Sequence, residues 1–259
     1  MADGEPLPIG IHEGGNKVLL PYGDRVIGQI NPKSLSEADF NNSPDILFHA
    51  ANKPFIFSQD IDYAKFTGDY SSTAGSGLYT TNDVTAAQKY LKDRKKSQGG
   101  ENATMMKFLP YQARMYDMRA QNNEAINAPV PKEMFQKYRQ FVINYFKNKF
   151  PEGPPDKSQY GKPEWLLYEN LREHKAFLNK LNFEKGEGNY EPVDLRIMLG
   201  IDGTMSSSEK GAITFTEFML YQGYDGLIYY EGGDGWYESA PSFVFYNPKK
   251  VGTFQTWQK

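Results

Sequence analysis

Short apolar runs, each bounded by glycine, proline, asparagine or aspartate, lie on both sides of a long central stretch of the chain. Such runs of four to eight residues predict β-strands. A Gly23-Asp24 turn separates the first two predicted strands, and the last predicted strand ends before Asn247-Pro248. The predicted strands are residues 17–22, 25–30, 46–51, 226–230 and 242–246.

A helix is predicted directly after Thr81. Apolar residues recur at helical spacing from Val84 to Leu91, Asp83 lies in the first turn, and the basic run 92–96 ends the segment before Gly99. An acid at the start and basic residues at the end complement the helix dipole.

Residues 101–190 have helical periodicity and few strand signals. One helix is predicted around 134–146 and a second begins at Pro163, with a proline-rich break at 151–155. Connections within a domain usually have about 4–6 residues, so we interpret this stretch of about 101–190 as a helical insertion. Long insertions usually serve recognition.

Two segments follow the insertion. Residues 194–199 leave helix and strand open, whereas Thr214 and Glu217 form a capping-box pattern that predicts a short helix at 215–222. Together the elements predict an α+β fold. We expect a flexible arm at 1–16 and a single domain at 17–259 that carries the insertion.

Composition narrows the function classes. The chain has 259 residues, 39% of them hydrophobic, and no cysteine, which excludes disulfide scaffolds, zinc ribbons and thiol nucleophiles. A net charge of -3 gives no overall attraction to nucleic acid or anionic lipid, and no apolar run approaches the ~20 residues of a membrane helix. We therefore expect neither nucleic acid nor membrane as a partner.

Three separated segments carry candidate chemistry: the strand with His49, the predicted turn Gly75-Ser76-Gly77-Leu78-Tyr79-Thr80-Thr81 before a helix, and the late strand at 242–246. Together they resemble the ADP-ribosyltransferase family, in its diphtheria-toxin-like and poly(ADP-ribose)-polymerase-like branch. That branch has a His, a Tyr and a Glu on three consecutive core segments. The resemblance covers about 46–92 and 212–252. It implies a split antiparallel β core that binds NAD.

The resemblance also implies roles for individual residues. Tyr79 and Tyr90, eleven residues apart, would sandwich the nicotinamide ring of NAD. The positive charge of that ring favours phenol faces, since cation–π stacking contributes ~0.5–2 kcal/mol. His49 would bind a hydroxyl of the adenosine ribose, and the backbone of Ala50 would bind the nicotinamide amide.

The carboxylate expected from the family is displaced in this chain. Cleavage of the nicotinamide–ribose bond leaves an oxocarbenium-like sugar, which an acid stabilises electrostatically. Alignment on the family pattern puts Ser242 in the carboxylate position, with Glu238 four residues earlier and Glu231 further back. We assign the role to Glu238. Action by Glu231, catalysis without a carboxylate, and loss of transferase activity stay open.

The resulting hypothesis is a mono-ADP-ribosyltransferase that modifies a protein acceptor and acts as a monomer. By analogy with bacterial members, it would be a secreted effector or toxin that acts on a host protein in the host cytosol, with the insertion recognising the acceptor. The alternative location is the cytoplasm of the cell that makes it. The alternatives are an NAD glycohydrolase and a noncatalytic, aromatic-rich binding module. No metal is expected, because the ligand spacing of an EF-hand is missing. His174, on the second predicted helix, is interpreted as structural.

Overall fold

The fold was taken from a computed structural model that describes residues 23–55, 57, 74–75, 77–96, 100–120, 127–183, 195–199, 212–230 and 240–258. It is a mixed α+β fold, as predicted. The strands are β1 (Gly23–Ile27), β2 (Leu47–Ala51), β3 (Leu78–Thr81), β4 (Thr104–Pro110), β5 (Ala113–Asp117), β6 (Gly226–Tyr230), β7 (Pro241–Phe245) and β8 (Val251–Gly252).

The helices are α1 (Glu37–Asn41), α2 (Val84–Lys96), α3 (Lys132–Lys149), α4 (Pro163–Lys180), α5 (Leu195–Leu199), α6 (Ala212–Tyr221) and α7 (Phe254–Trp257). Helices α2, α3 and α4 confirm the helices predicted from periodicity. Pro163 stands at the first turn of α4, where a missing N–H costs nothing.

The chain divides into two compact units. The first, which we call the sheet unit, comprises 1–62, 77–127 and 222–259 and holds the strands β1–β8. The second, the helical unit, comprises 63–76 and 128–221 and holds α3–α6. The helical unit thus takes up most of the sequence that we interpreted as an insertion.

The strands of the sheet unit form one sheet in the order β1-β5-β6-β7-β3-β2-β4-β8. Their pairing is antiparallel except between β5 and β6, which run parallel. The prediction of an antiparallel core therefore needs this one correction. Parallel neighbours require a long crossover connection, and the chain between Asp117 and Gly226 contains the whole of α3–α6.

Residues 104–117 correct the predicted limits of the helical insertion, because they form β4 and β5. Met106 and Phe108 are buried while Lys107 between them is exposed, which is the two-residue period of a strand. Strand β4 pairs with β2 from Leu47↔Phe108 to Ala51↔Thr104. This pairing stabilises a strand where the composition had indicated helix.

Three further predicted boundaries differ. The strand predicted at 25–30 ends at Ile27, because Gly28 has a φ of 76° and lies against the Pro110 backbone. Helix α6 begins at Ala212, so Thr214 is a buried residue inside it and not its N-cap. Tyr79 lies in strand β3, not in a turn, because β3 pairs along its whole length with β7. The predicted strand 17–22 lies outside the described residues.

The helical unit has an aromatic core around Tyr138. Its ring contacts Phe215 and Phe218 at centroid distances of 5.6 and 5.3 Å. The Tyr138 hydroxyl lies 3.0 Å from Nε2 of His174, which is completely buried. His174 therefore has the structural position that was expected.

Candidate functional site

The sheet brings together the three strands that carry the predicted site residues. Strands β2, β3 and β7 are consecutive neighbours in the sheet, although β7 is separated from β3 by about 160 residues in the chain. They carry His49 and Ala50, Tyr79, and Ser242 respectively. Their register is fixed by Phe48↔Thr81 on one side and Thr81↔Ser242 on the other.

His49 is tied to the neighbouring strand by its imidazole. Its Nδ1 lies 2.6 Å from the main-chain oxygen of Tyr79. A carbonyl oxygen can only accept a hydrogen bond, so Nδ1 carries the hydrogen and donates it. In the neutral ring, Nε2 is then left as a hydrogen-bond acceptor.

The surroundings of His49 keep the ring neutral. The ring packs edge-on against Phe55 and Phe108, at centroid distances of 5.4 and 6.4 Å. Burial lowers the pKa of His49 to about 4, and the positive charge of Arg94 acts in the same direction, against the hydrogen bond to Tyr79. At neutral pH the side chain therefore presents an uncharged acceptor nitrogen.

Tyr79 meets His49 through its main chain and not through its ring. Directly opposed residues share a face of the sheet and successive residues alternate, so Tyr79 shares the face of Thr81 and Phe48, whereas His49 projects from the other face. The Tyr79 phenol lies near Tyr246, whose pKa is raised chiefly by burial and also by the Tyr79 phenol.

Tyr90 and Ala50 lie on elements that pack against each other. Tyr90 is half-buried on α2, which packs against β2, β3 and β4. Ala86 and Ala87 are buried on that helix and allow it to approach the sheet closely. Ala50 is buried opposite Met105 of β4.

The start of α2 is fixed by a side-chain cap. Asp83 Oδ1 accepts hydrogen bonds from the main-chain nitrogens of Thr85 and Ala86, at 2.7 and 3.0 Å. A carboxylate in this position satisfies amide hydrogens that the helix leaves unbonded and complements its dipole. This cap sets the helix phase on which the direction of Tyr90 depends.

Ser242, in the position expected for the carboxylate, lies between two neighbouring strands. It pairs with Thr81 of β3 and with Tyr229 of β6, and it is buried. Glu238 and Glu231 lie outside the described residues. The assignment of the catalytic carboxylate to Glu238 therefore stays a prediction.

Asp225 joins the start of β6 to the end of β7. Its Oδ1 accepts a hydrogen bond of 2.7 Å from the Asn247 amide, and its Oδ2 accepts one of 2.9 Å from the main-chain nitrogen of Arg114. Its main-chain oxygen accepts from the nitrogens of Tyr246 and Asn247. The start of β6 and the end of β7 are thus locked to β5, a role that the sequence pattern had not revealed.

Arg25, Asp117 and Arg119 form a charged cluster that the sequence pattern had not revealed. The spacing of Asp117 and Arg119 is a signal that could have drawn attention to it. Arg25 is distant in the chain and comes close only because β1 pairs with β5.

Metal-ligand clusters and membrane-spanning helices are both missing from the described residues. Across these parts of the chain, no three His, Asp or Glu side chains are grouped closely enough to hold a metal ion. None of the helices described is long and apolar enough to cross a bilayer.

Comparisons with protein-family models, with curated proteins and with solved structures found no match.

Proposed function

We propose that this protein cleaves the nicotinamide–ribose bond of NAD and transfers ADP-ribose to a protein acceptor. The observation that carries the proposal is the adjacency of β2, β3 and β7 in the sheet. The family that the sequence resembles has its three characteristic residues on consecutive core segments. Here, the strands with His49, Tyr79 and the Ser242 position are direct neighbours.

The chemistry of His49 supports a role in holding the ribose. Its neutral imidazole has Nδ1 engaged with Tyr79 and Nε2 available as an acceptor. A ribose hydroxyl is a hydrogen-bond donor and matches that nitrogen. A protonated imidazole would be a donor at both nitrogens, so the low pKa of His49 favours this role at neutral pH.

The proposed stacking of Tyr90 and of Tyr79 on the nicotinamide ring rests on different observations. Tyr90 is carried by α2, which packs against β2 and β3, so its ring is our main candidate for stacking on the nicotinamide. Tyr79 leaves the sheet on the face opposite to His49. Its main-chain oxygen orients His49, and the second stacking role of its ring rests on the resemblance alone.

In the proposed reaction, the bond between C1′ of the ribose and the nicotinamide nitrogen breaks, and nicotinamide leaves neutral with the electron pair. The sugar acquires positive charge, which the carboxylate of Glu238 would stabilise. A nucleophilic side chain of the acceptor then bonds to C1′ and loses a proton. Secretion and action on a host protein belong to this proposal too.

The test is incubation of the full chain with NAD and candidate acceptor proteins, with nicotinamide release and labelling of protein measured in parallel. We expect both. Glu238→Gln should lower nicotinamide release at least ~10²-fold, as for loss of one electrostatic stabiliser. Glu152→Gln, a change at an exposed acid of the helical unit, is the control and should release nicotinamide normally. If Glu231→Gln has the large effect instead, the role belongs to Glu231.

Stacking is tested by Tyr90→Ala and Tyr79→Ala. We expect Tyr90→Ala to reduce nicotinamide release ~10-fold or more, because a cation–π contact of up to ~2 kcal/mol is lost. An equal loss in Tyr79→Ala would support two stacking rings, and normal release would limit Tyr79 to its main-chain role. If Tyr90→Ala turned over NAD normally, the proposed position of the nicotinamide would be wrong.

The same assay separates the alternatives. Nicotinamide release with no labelled protein would identify an NAD glycohydrolase. No release with any acceptor, together with no binding of NAD, would overturn the proposal in favour of a noncatalytic module.

A further inference from the structure

Two arginines share one aspartate at the β1–β5 side of the sheet unit. Arg119 makes a bidentate interaction with Asp117: Nε lies 2.9 Å from Oδ1 and Nη2 lies 2.6 Å from Oδ2. Arg25 approaches the same carboxylate, with Nε at 3.2 Å from Oδ2. We call these three residues the arginine cluster.

The arginine cluster has an excess positive charge that is largely shielded from water. The side chains of Arg25, Arg119 and Asp117 are 15%, 21% and 8% exposed. Among the residues that the structure describes, Asp117 is the one carboxylate paired with either arginine. Burying an uncompensated charge is costly, and buried charges are normally paired.

The hydrogen bonds of Arg25 are incomplete. A guanidinium has five N–H donors, and Arg119 directs donors to Asp117, in a two-nitrogen fork, and to the Tyr230 side chain. The Nε of Arg25 is buried and makes no hydrogen bond, although it lies beside Asp117. Burial lowers the pKa of Arg25 to about 10, against the pull of Asp117, and the charge of Arg119 adds to this effect.

The framework around the arginine cluster is firmly held. Strands β1 and β5 pair from Gly23↔Asp117 to Ile27↔Ala113. Arg119 forms a β-bridge with Asn127. The Asn127 side-chain amide makes hydrogen bonds with the main-chain nitrogen and the main-chain oxygen of Tyr230, at 2.6 and 2.5 Å. A site supported by paired strands is preorganised and loses little entropy when a ligand binds.

A second ion pair, on the opposite face of β1 and β5, can be compared with the arginine cluster. Arg114 and Asp24 are matched one to one, with contacts of 2.8 and 2.9 Å, and both side chains are exposed. That pair has no excess charge and no buried donor. It therefore provides a control within the same strands.

From the shared carboxylate, the excess charge and the buried donor, we propose that Arg25 and Arg119 form a binding site for an oxyanion group, with Asp117 as the residue that orients them. Guanidinium forks match the geometry of phosphate and carboxylate oxygens. The ligand is therefore a phosphate group or a carboxylate. This site does not depend on the proposed NAD chemistry, and its test contains no turnover.

The experiment is calorimetric titration of the full chain with inorganic phosphate at constant ionic strength, set by chloride. We expect saturable binding at one site. Arg25→Gln and Arg119→Gln should each weaken it at least ~10-fold, as expected from losing a hydrogen bond between charged groups. Arg114→Gln is the matched control and should change the affinity less than twofold.

If Arg25→Gln does not fold, Arg25→Lys provides the second measurement. It keeps the charge and removes the fork, so phosphate affinity should still fall several-fold. Absence of saturable binding by the wild type would overturn the proposal, as would equal weakening by Arg114→Gln or unchanged affinity in Arg25→Lys.

Two further titrations identify the source of the oxyanion. ADP-ribose that competes with phosphate, and binds more tightly, would indicate the phosphates of a nucleotide. N-acetylglutamate amide that competes better would indicate an acidic side chain of a protein partner. Competition by neither would limit the ligand to free phosphate.

Discussion

At the scale of single residues, hydrogen bonds to the main chain and packing against neighbouring rings decide the tautomer and the charge of the His49 side chain. The carbonyl of Tyr79 fixes which nitrogen of His49 carries the hydrogen, and the packing of Phe55 and Phe108 keeps the ring neutral. The sequence shows that a histidine stands at this position. The tautomer and the charge of its ring follow from contacts with residues far away in the chain, which no local sequence pattern contains.

We expect His49 to titrate near pH 4, since burial lowers its pKa from 6.5 to about 4. The folded state then resists protonation that the unfolded chain accepts. Stability from this source is complete above pH 6.5 and is lost as the pH falls towards 4. The loss should be at most about 3–4 kcal/mol, because one pKa unit equals about 1.4 kcal/mol.

Chemical denaturation between pH 4 and 7, compared for wild type and His49→Gln, measures this term, and NMR of the imidazole protons gives the pKa directly. His174 is present in both proteins and cancels in the difference. An NMR pKa near 6.5 would contradict the packing described for the ring.

Asp225 and Asp24 both bind Arg114, but we expect them to differ in their effect on stability. Asp225→Ala leaves the Asn247 amide and the Arg114 main-chain nitrogen without their acceptor, which should cost about 1–3 kcal/mol. Asp24→Ala breaks an exposed ion pair and should cost less than about 1 kcal/mol. Urea denaturation measures both, and a larger loss in Asp24→Ala would contradict the interpretation of Asp225 as a lock.

At the scale of elements, strand pairing decided the features that periodicity left open or misplaced. Met106 and Phe108 alternate with Lys107, yet this short pattern was lost among helix-forming neighbours. Pairing with β2 makes residues 104–110 a strand. The long helices α3 and α4 were found correctly, because several turns of repeated apolar residues make a stronger signal than one strand.

Gly226 tests how closely the strands pack at the start of β6. A Cβ in this position would overlap the main-chain oxygen of Val244 and the side chain of Met115. We expect Gly226→Ala to destabilise the protein by about 1–3 kcal/mol, as overpacking does.

Gly161→Ala is the control for Gly226→Ala. This position has a φ of 74° and open space around it, so it reports backbone strain of about 1–2 kcal/mol without a clash. Crystal structures of the two variants separate the effects. Strands β6 and β7 should move apart in Gly226→Ala, and an unshifted backbone would contradict the prediction.

At the scale of the whole molecule, the sheet unit and the helical unit each contain fully buried apolar side chains. Leu78, Phe108 and Phe243 are fully buried in the sheet unit, and Leu178 and Val142 are fully buried in the helical unit. A division into two compact units allows local unfolding of one unit with its own free energy.

We therefore expect Leu178→Ala, which should cost about 2–5 kcal/mol, to raise amide hydrogen exchange mainly in α3, α4 and α6. Leu78→Ala is the mirror variant and should raise exchange mainly in β3 and its neighbours β2 and β7. Mass spectrometry of exchanged peptides makes the comparison. An equal increase in both units for either variant would mean that they unfold together.

The sequence by itself determined the helices with several apolar repeats and the strands closed by glycine and proline. These features depend on local preference and on period, which a chain carries without its fold. The candidate residues His49, Tyr79, Tyr90 and Ser242 rest on a resemblance to a family. Only the tertiary structure decided that β7 lies beside β3, that His49 presents Nε2 as an acceptor, and that Arg25 joins Arg119 on Asp117. These features depend on contacts between residues far apart in the chain, or on burial. Such contacts and such burial arise only when the strands have paired in the sheet.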